Sequence, residues 1–564
     1  MEKGGKRKAA CMAVMLLAVF LFSACFVHLK ENRGHEAKNF TAFIAVPLSG
    51  EKEVKGNRIR DKITGLTNIH VDIEWLTSQT ASEKIENMIR TREYPDFVQG
   101  SEATNALVEA GAFVPLEGYL KDYPNLEQYL TRRQWESLRK EDGHIYFIPS
   151  FGVVRGHDTA TINAGEAFWV QKRVLEWAGF PKLKTLDEYF GLLAAYLEEY
   201  PTTDGEKNIG FEILCDDWRY FCLENPPMFL AGYPNDGCAI VDPKTQKASV
   251  YDTIPEARQY YQKLCEMYHQ GVIDPETFTL SYSQYQERIS AGNVLGFVDQ
   301  YWQMMGMQNS LYASGREDRT YVPFPITAQE EIEGNYNCRD ASLNTGEGMG
   351  ISVNCEDVEG ALYFLDQLLS PEIMVLRYWG EEGVDYLVGE DGIFYRTEEQ
   401  RKLRENGEYL RDNFYDFAYF PSYFGMLDDG VNTVNPEEQP GEYYAQLSEY
   451  DKGILDAYGY RTWKEFMGEE TQGMPWFPLY SCTADWPLDS SYGKALEDME
   501  RIKRRWLPRI IMSPVESFGE NWDAYMQEYQ GSIDIEAYES QLNLEIQKKL
   551  RQSAAPASDE GGIS

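Results

Sequence analysis

The sequence predicts an α/β fold built from doubly wound lobes, and three observations carry that prediction. From Asn39 onward, short apolar runs alternate with longer amphipathic stretches at helical spacing. The first of these follow the order strand, helix, strand, helix, strand, helix, which calls for a parallel sheet with right-handed crossovers. The rhythm then restarts after Phe151, placing a passage between lobes there.

Each element has its own warrant. Residues 40–46 (FTAFIAV) read as a strand and 55–64 as a helix. Residues 70–76 (HVDIEWL) alternate with period two, and 81–92 set Ile85, Met88 and Ile89 at helical spacing. Asp96, Phe97 and Val98 open a third strand, and 102–110 a helix. The turn at Asp142-Gly143 leads into a strand that stops at Pro149. Residues 185–199 form a helix opened by a capping box, in which Thr185 and Glu188 satisfy orphan N–H groups. A further helix over 254–271 carries Tyr260, Tyr261, Leu264, Met267 and Tyr268 on its apolar side and ends on a glycine. The strand 296–298 runs into Asp299, Tyr301 and Trp302, and the polar stretch from Ser553 reads as a disordered tail.

Composition bounds the function. At 564 residues the length prior gives roughly three or four folded units, and 43% hydrophobic with 26% charged residues are globular proportions. A net charge of −38 repels phosphate backbones, so no nucleic-acid partner is expected. Nine cysteines at irregular spacings and six histidines suggest no zinc or haem site, and neither a metal nor a cofactor is expected.

The first thirty residues read as an export signal: Lys3, Lys6, Arg7 and Lys8 precede an uncharged run from Ala9 to Val27. Leu21-Phe22-Ser23-Ala24-Cys25 resembles a bacterial lipobox, with Phe22 where leucine is usual, and makes Cys25 the expected lipidated first residue. The competing reading is an uncleaved anchor, since a 19-residue apolar run can just cross a bilayer.

Several stretches then resemble the extracellular solute-binding proteins of ABC sugar importers, family 1, and the large lipoproteins of Gram-positive bacteria within it. They are 83–96 with 107–116 (LVEAGAFVPL), 142–149, 169–179 with 184–188, 271–276 (GVIDPE), 289–297, 350–369, 379–386 (WGEEGVDY) and 522–525, covering roughly residues 40 to 545 in order. The resemblance implies a two-lobed periplasmic-binding-protein-like fold of the class II type, its lobes joined by hinge crossings around a ligand cleft. On that scheme signal peptide 1–24 and tether 25–38 precede lobe one (38–149 plus 342–425) and lobe two (150–341 plus 426–552), with the tail at 553–564. Relatives carry a calcium loop in the segment 200–208; here only Asp204 and Glu206 suit calcium, so a plain turn is expected.

A sugar receptor needs aromatic rings for C–H faces and polar groups for hydroxyls, and in open α/β sheets ligands sit beyond the carboxyl ends of strands. That rule selects Ser101 and Glu102, then Asp299, Tyr301 and Trp302, with Trp218 from the cluster 215–220. Ser101 could equally cap a helix, and Trp302 could be core. Trp169 reaches ligand in only one of its two possible strand parities. Trp379 reads as packing. No catalytic signature is present. The expected function is a membrane-anchored, monomeric, non-enzymatic receptor that captures a carbohydrate, an oligosaccharide by preference, and delivers it to ABC permease transmembrane subunits. The alternatives are an exported glycoside hydrolase and a sensory or scaffold lipoprotein.

Overall fold

The computed structural model describes residues 37–554, apart from 47–55, 78–79, 141, 340–342, 344, 415–416, 484–485 and 488. The export signal, Cys25 and most of the tether and tail expectations therefore lie outside the described residues. No helix among the described residues is long and apolar enough to cross a membrane. In chain order the strands of the two main sheets are β1 (Lys38–Ile44), β2 (Ile69–Trp75), β3 (Phe97–Gln99), β4 (Phe147–Ile148), β5 (Glu166–Gln171), β6 (Ile209–Glu212), β7 (Val294–Gln300), β8 (Tyr321–Phe324) and β9 (Met349–Ile351). Helices used below are α1 (Ala81–Thr91), α2 (Leu186–Glu199), α3 (Pro255–His269), α4 (Tyr282–Ala291), α5 (Tyr301–Ala313) and α6 (Ile535–Ala554).

The chain gathers into two compact units. The first comprises the described residues within Met1–Thr159 together with Leu343–Glu442, and the second Ala160–Ser342 with the chain from Tyr443. Two of these passages fall later than expected. Residues 150–159 stay with the first unit because Val154–Arg155 pairs in parallel with Phe424–Gly425. Residues 426–442 stay there too: Glu442 accepts from the Arg396 backbone at 2.8 Å, from its Nε at 3.0 Å, and from Arg401 at 2.9 Å. The final helix α6 runs two residues into the predicted tail.

In the first unit the sheet order is β2-β1-β3-β9-β4. β1, β2 and β3 run parallel, as the alternating strand and helix pattern demands, whereas β9 enters antiparallel between β3 and β4. Gly350 on β9 is required by packing, since a Cβ there would lie 2.5 Å from the Phe113 ring. Thr80 and Glu83 cap α1 reciprocally, a box like the one that opens α2. Trp379 is buried, donating through Nε1 to the Thr433 carbonyl at 2.9 Å.

The second unit holds a mixed sheet, β8-β5-β7-β6, in which β7 and β6 are parallel and β5 runs antiparallel to both β7 and β8. Phe168 and Val170 take one face of β5, with Phe168 edge-on to Tyr189 of α2, while Trp169 takes the other, beside Tyr301. α2 crosses close over β7, where Gly296 leaves room: a Cβ would meet the Tyr189 hydroxyl at 2.5 Å. Residues 202–207 form a short hairpin whose turn, Asp204-Gly205, has both residues at positive φ, and the Asp204 carboxylate pairs with Arg319. The cysteines Cys215, Cys222, Cys238, Cys265, Cys338, Cys355 and Cys482 are all free thiols.

Candidate functional site

β6 and β7 are parallel neighbours, so the segments leaving their carboxyl ends emerge at one edge of the sheet. After β6 the chain makes a short 3-10 turn, Asp217–Tyr220, that carries Trp218. After β7 it enters α5 at once, with Trp302 in the first turn. Both indoles are 52% exposed, and they lie ring on ring with centroids 5.9 Å apart and planes 12° from parallel. Two stacked tryptophans that forgo burial at a sheet's carboxyl edge, a small aromatic shelf, leave indole surface in solvent suited to an apolar ligand face.

The shelf is wired to the sheet beneath it. The Arg219 guanidinium lies 4.5 Å from the Trp218 ring centroid and 3.8 Å from that of Tyr282, at the start of α4. Its Nε donates to Gln303 Oε1 at 2.8 Å, and Gln303 Nε2 donates to Asp299 Oδ1 at 2.7 Å. Asp299 also accepts from the Tyr285 hydroxyl at 2.9 Å and the Gln300 N–H at 2.7 Å. Expected at the ligand surface, this carboxylate is instead fully buried at the root of the site. Burial pushes its pKa up to about 6, against the hydrogen bonds that favour its charged form.

One strand over, Glu166 at the start of β5 is buried beside the carboxyl end of β7. Its Oε2 accepts from Asn225 and Asn235, each at 2.9 Å, while Oε1 has no partner. Desolvation, with the Asp299 charge adding to it, raises its pKa to about 8.

The remaining site candidates lie elsewhere. Trp169 is buried, donates Nε1 to the Asp299 carbonyl at 2.9 Å, and reaches a cavity of about 310 Å³ together with half-buried Tyr301. Ser101 belongs to the first unit, at the end of β3. It does not cap a helix: it occupies a left-handed conformation, φ 49°, its N–H donating to Gln99 Oε1 at 3.2 Å. Glu102 follows in the same 3-10 turn. Arg219, Gln303, Tyr282 and Glu166 were not singled out from sequence. Only the spacing of Asp299 and Gln303, four apart across a strand-to-helix junction, hints at the pairing.

This is the architecture of a two-lobed α/β binding protein with an aromatic surface at a strand edge. The comparisons agree. Residues 59–381 match the model of the bacterial extracellular solute-binding proteins, and the chain belongs to that family. Among curated relatives, a polygalacturonan/rhamnogalacturonan-binding protein of Bacillus subtilis is 24% identical over 65% of this chain and 71% of its own. A fructooligosaccharide ABC transporter substrate-binding protein, FusA of Streptococcus pneumoniae, is 24% identical over 60% of this chain and 62% of its own. The structure of FusA in complex with kestose is 17% identical and superposes with a TM-score of 0.57, covering 92% of this chain and all of that one. An HMO-binding, ABC-transporter-associated protein of Bifidobacterium longum infantis is 15% identical and gives 0.58 over 92% of this chain and 99% of that one.

Proposed function

We propose that this protein captures an oligosaccharide outside the cytoplasm and delivers it to the transmembrane subunits of an ABC permease, without altering it chemically. The observation that carries the reading is the exposed Trp218 and Trp302 pair at the carboxyl edge of β6 and β7. Its exposed indole surface suits the C–H face of a sugar ring, and Arg219 supplies hydrogen-bond donors beside it. The ligands for which the relatives are named, polygalacturonan or rhamnogalacturonan and fructooligosaccharide, support a carbohydrate. That Asp299 and Glu166, two carboxyls beneath the shelf, are buried and held by internal donors supports binding without turnover. The lipobox-like run ending at Cys25 supports a lipid anchor.

The test is a thermal-shift screen of the full chain against fructooligosaccharides, oligogalacturonides and neutral plant and milk oligosaccharides, with chromatography of the sugar afterwards. One class should raise the melting temperature saturably and be recovered intact. No shift with any class, or shortened products, would refute the reading. For the anchor, Cys25→Ser should move the protein from the membrane fraction to the medium and abolish palmitate labelling.

A further inference from the structure

We infer that the second unit carries another ligand site, separate from the tryptophan shelf, shaped for one neutral sugar ring or a polyol of similar size. It is the cavity of about 310 Å³ between the outer face of β5 and β8, helix α5, and the segment from Tyr443 to Trp463. That size lies at the lower end of small-molecule sites.

Its separation from the shelf follows from its lining, which includes neither Trp218 nor Trp302. Tyr301, Gln308 and Tyr312 lie on one face of α5 and line the cavity, whereas Trp302, one residue on, is turned by about 100° toward Trp218. The cavity also extends inward over Trp169, in the interior of β5.

The walls are aromatic: Trp169, Tyr301, Tyr312, Tyr321, Tyr443 and Trp463 all contribute. Between these rings stand neutral polar groups with hydrogen-bonding capacity to spare. Gln308 is 9% exposed; its Oε1 accepts the Tyr321 N–H at 3.1 Å, which leaves Nε2 as a donor with no partner among the described residues. The Asn309 amide and the Tyr301 hydroxyl likewise form no hydrogen bond among the described residues. Ser448 accepts from the Asp451 N–H at 3.1 Å and keeps its own proton to donate.

The charge at the base selects against ions. Asp451 is the only acid lining the cavity among the described residues. Its Oδ1 is taken by fully buried Lys172 at 2.5 Å and its Oδ2 by the Tyr312 hydroxyl at 2.6 Å. Lys172 also donates to Tyr312 at 2.8 Å and lies 4.5 Å from the centroid of the Trp463 ring. The two charges cancel inside the wall, so an ionic ligand would find no free counter-charge, while amides and hydroxyls set among ring faces suit a ligand with hydroxyls on its rim. The inference stands on residues other than those of the shelf.

The test is calorimetric titration of the full chain with glucose, galactose, mannose, fructose and xylitol. One of them should bind saturably, and should bind the Trp218→Ala/Trp302→Ala variant with unchanged affinity. Asn309→Trp, which fills the mouth from an exposed position, should weaken it at least tenfold, and Tyr301→Phe, which removes a single hydroxyl, severalfold. Failure of all five to bind at concentrations of about 10 mM would overturn the inference. So would binding that survives both cavity variants, or binding lost with the shelf, which would place the sugar there. Oligosaccharide binding by Asn309→Trp is read in parallel, so the shelf reading and the cavity stand or fall separately.

Discussion

The proposed recognition rests on Trp218 and Trp302, a stacked pair in which each ring leaves half its surface in solvent. Replacing either with alanine should weaken oligosaccharide binding about tenfold, about 1.4 kcal/mol, in a calorimetric titration, with little change in melting temperature. Glu166 and Asp299 work beneath the surface, and their protonation links stability to pH. The folded chain keeps a proton on Asp299 up to about pH 6 and on Glu166 up to about pH 8, whereas the ordinary values are 3.8 and 4.5. Between those limits the native state binds more protons than the unfolded one, so stability falls as pH rises. Glu166→Gln keeps the neutral shape and should remove its share of the fall between pH 5 and 9, a few kcal/mol in urea unfolding, while buried Glu212, pushed up to about 7, keeps contributing. The position of the two tryptophans just after strands was legible in the sequence, because apolar runs end shortly before each of them. The burial of Asp299 was not, because Cys222, Tyr285 and Gln303, which close around it, come from three separate segments.

Elements place these residues with little tolerance. β7 hands the chain directly to α5, so the strand's close packing against α2 fixes where Trp302 emerges. Gly296→Ala should therefore cost stability, on the order of 1–3 kcal/mol by denaturant titration, since the new methyl meets the Tyr189 hydroxyl and the Trp169 carbonyl. The buried pair of Lys172 and Asp451 ties the start of the helix after β5 to the helix Glu449–Tyr458. Lys172→Met alone should cost about 3–5 kcal/mol by leaving a buried charge, and Lys172→Met with Asp451→Leu should recover much of it. Period and caps made most elements readable, as the boxes at Thr80 and Thr185 show. The parity of Trp169 was not readable: alternation says only that it opposes Phe168, and the choice is made by the ring of Tyr301 and the carbonyl of Asp299, 130 residues downstream.

For the whole molecule, the chain passes between its units at 159/160, 342/343 and 442/443. The middle passage lies one residue beyond the expected point and the outer two lie ten and seventeen residues beyond theirs. Both shifts trace to long-range pairings, Val154–Arg155 with Phe424–Gly425 and Glu442 with Arg396 and Arg401, which leave no periodic mark on the sequence. The proposed function makes this family member an oligosaccharide receptor whose tryptophan shelf supplies the principal contact. Its most direct test is calorimetric titration of the full chain and of its Trp218→Ala/Trp302→Ala variant with the oligosaccharide that gives the largest thermal shift. Saturable one-to-one binding at the shelf by the wild type, weakened at least a hundredfold in the variant while its melting temperature holds, is the predicted result. Equal affinity in the two proteins would contradict it.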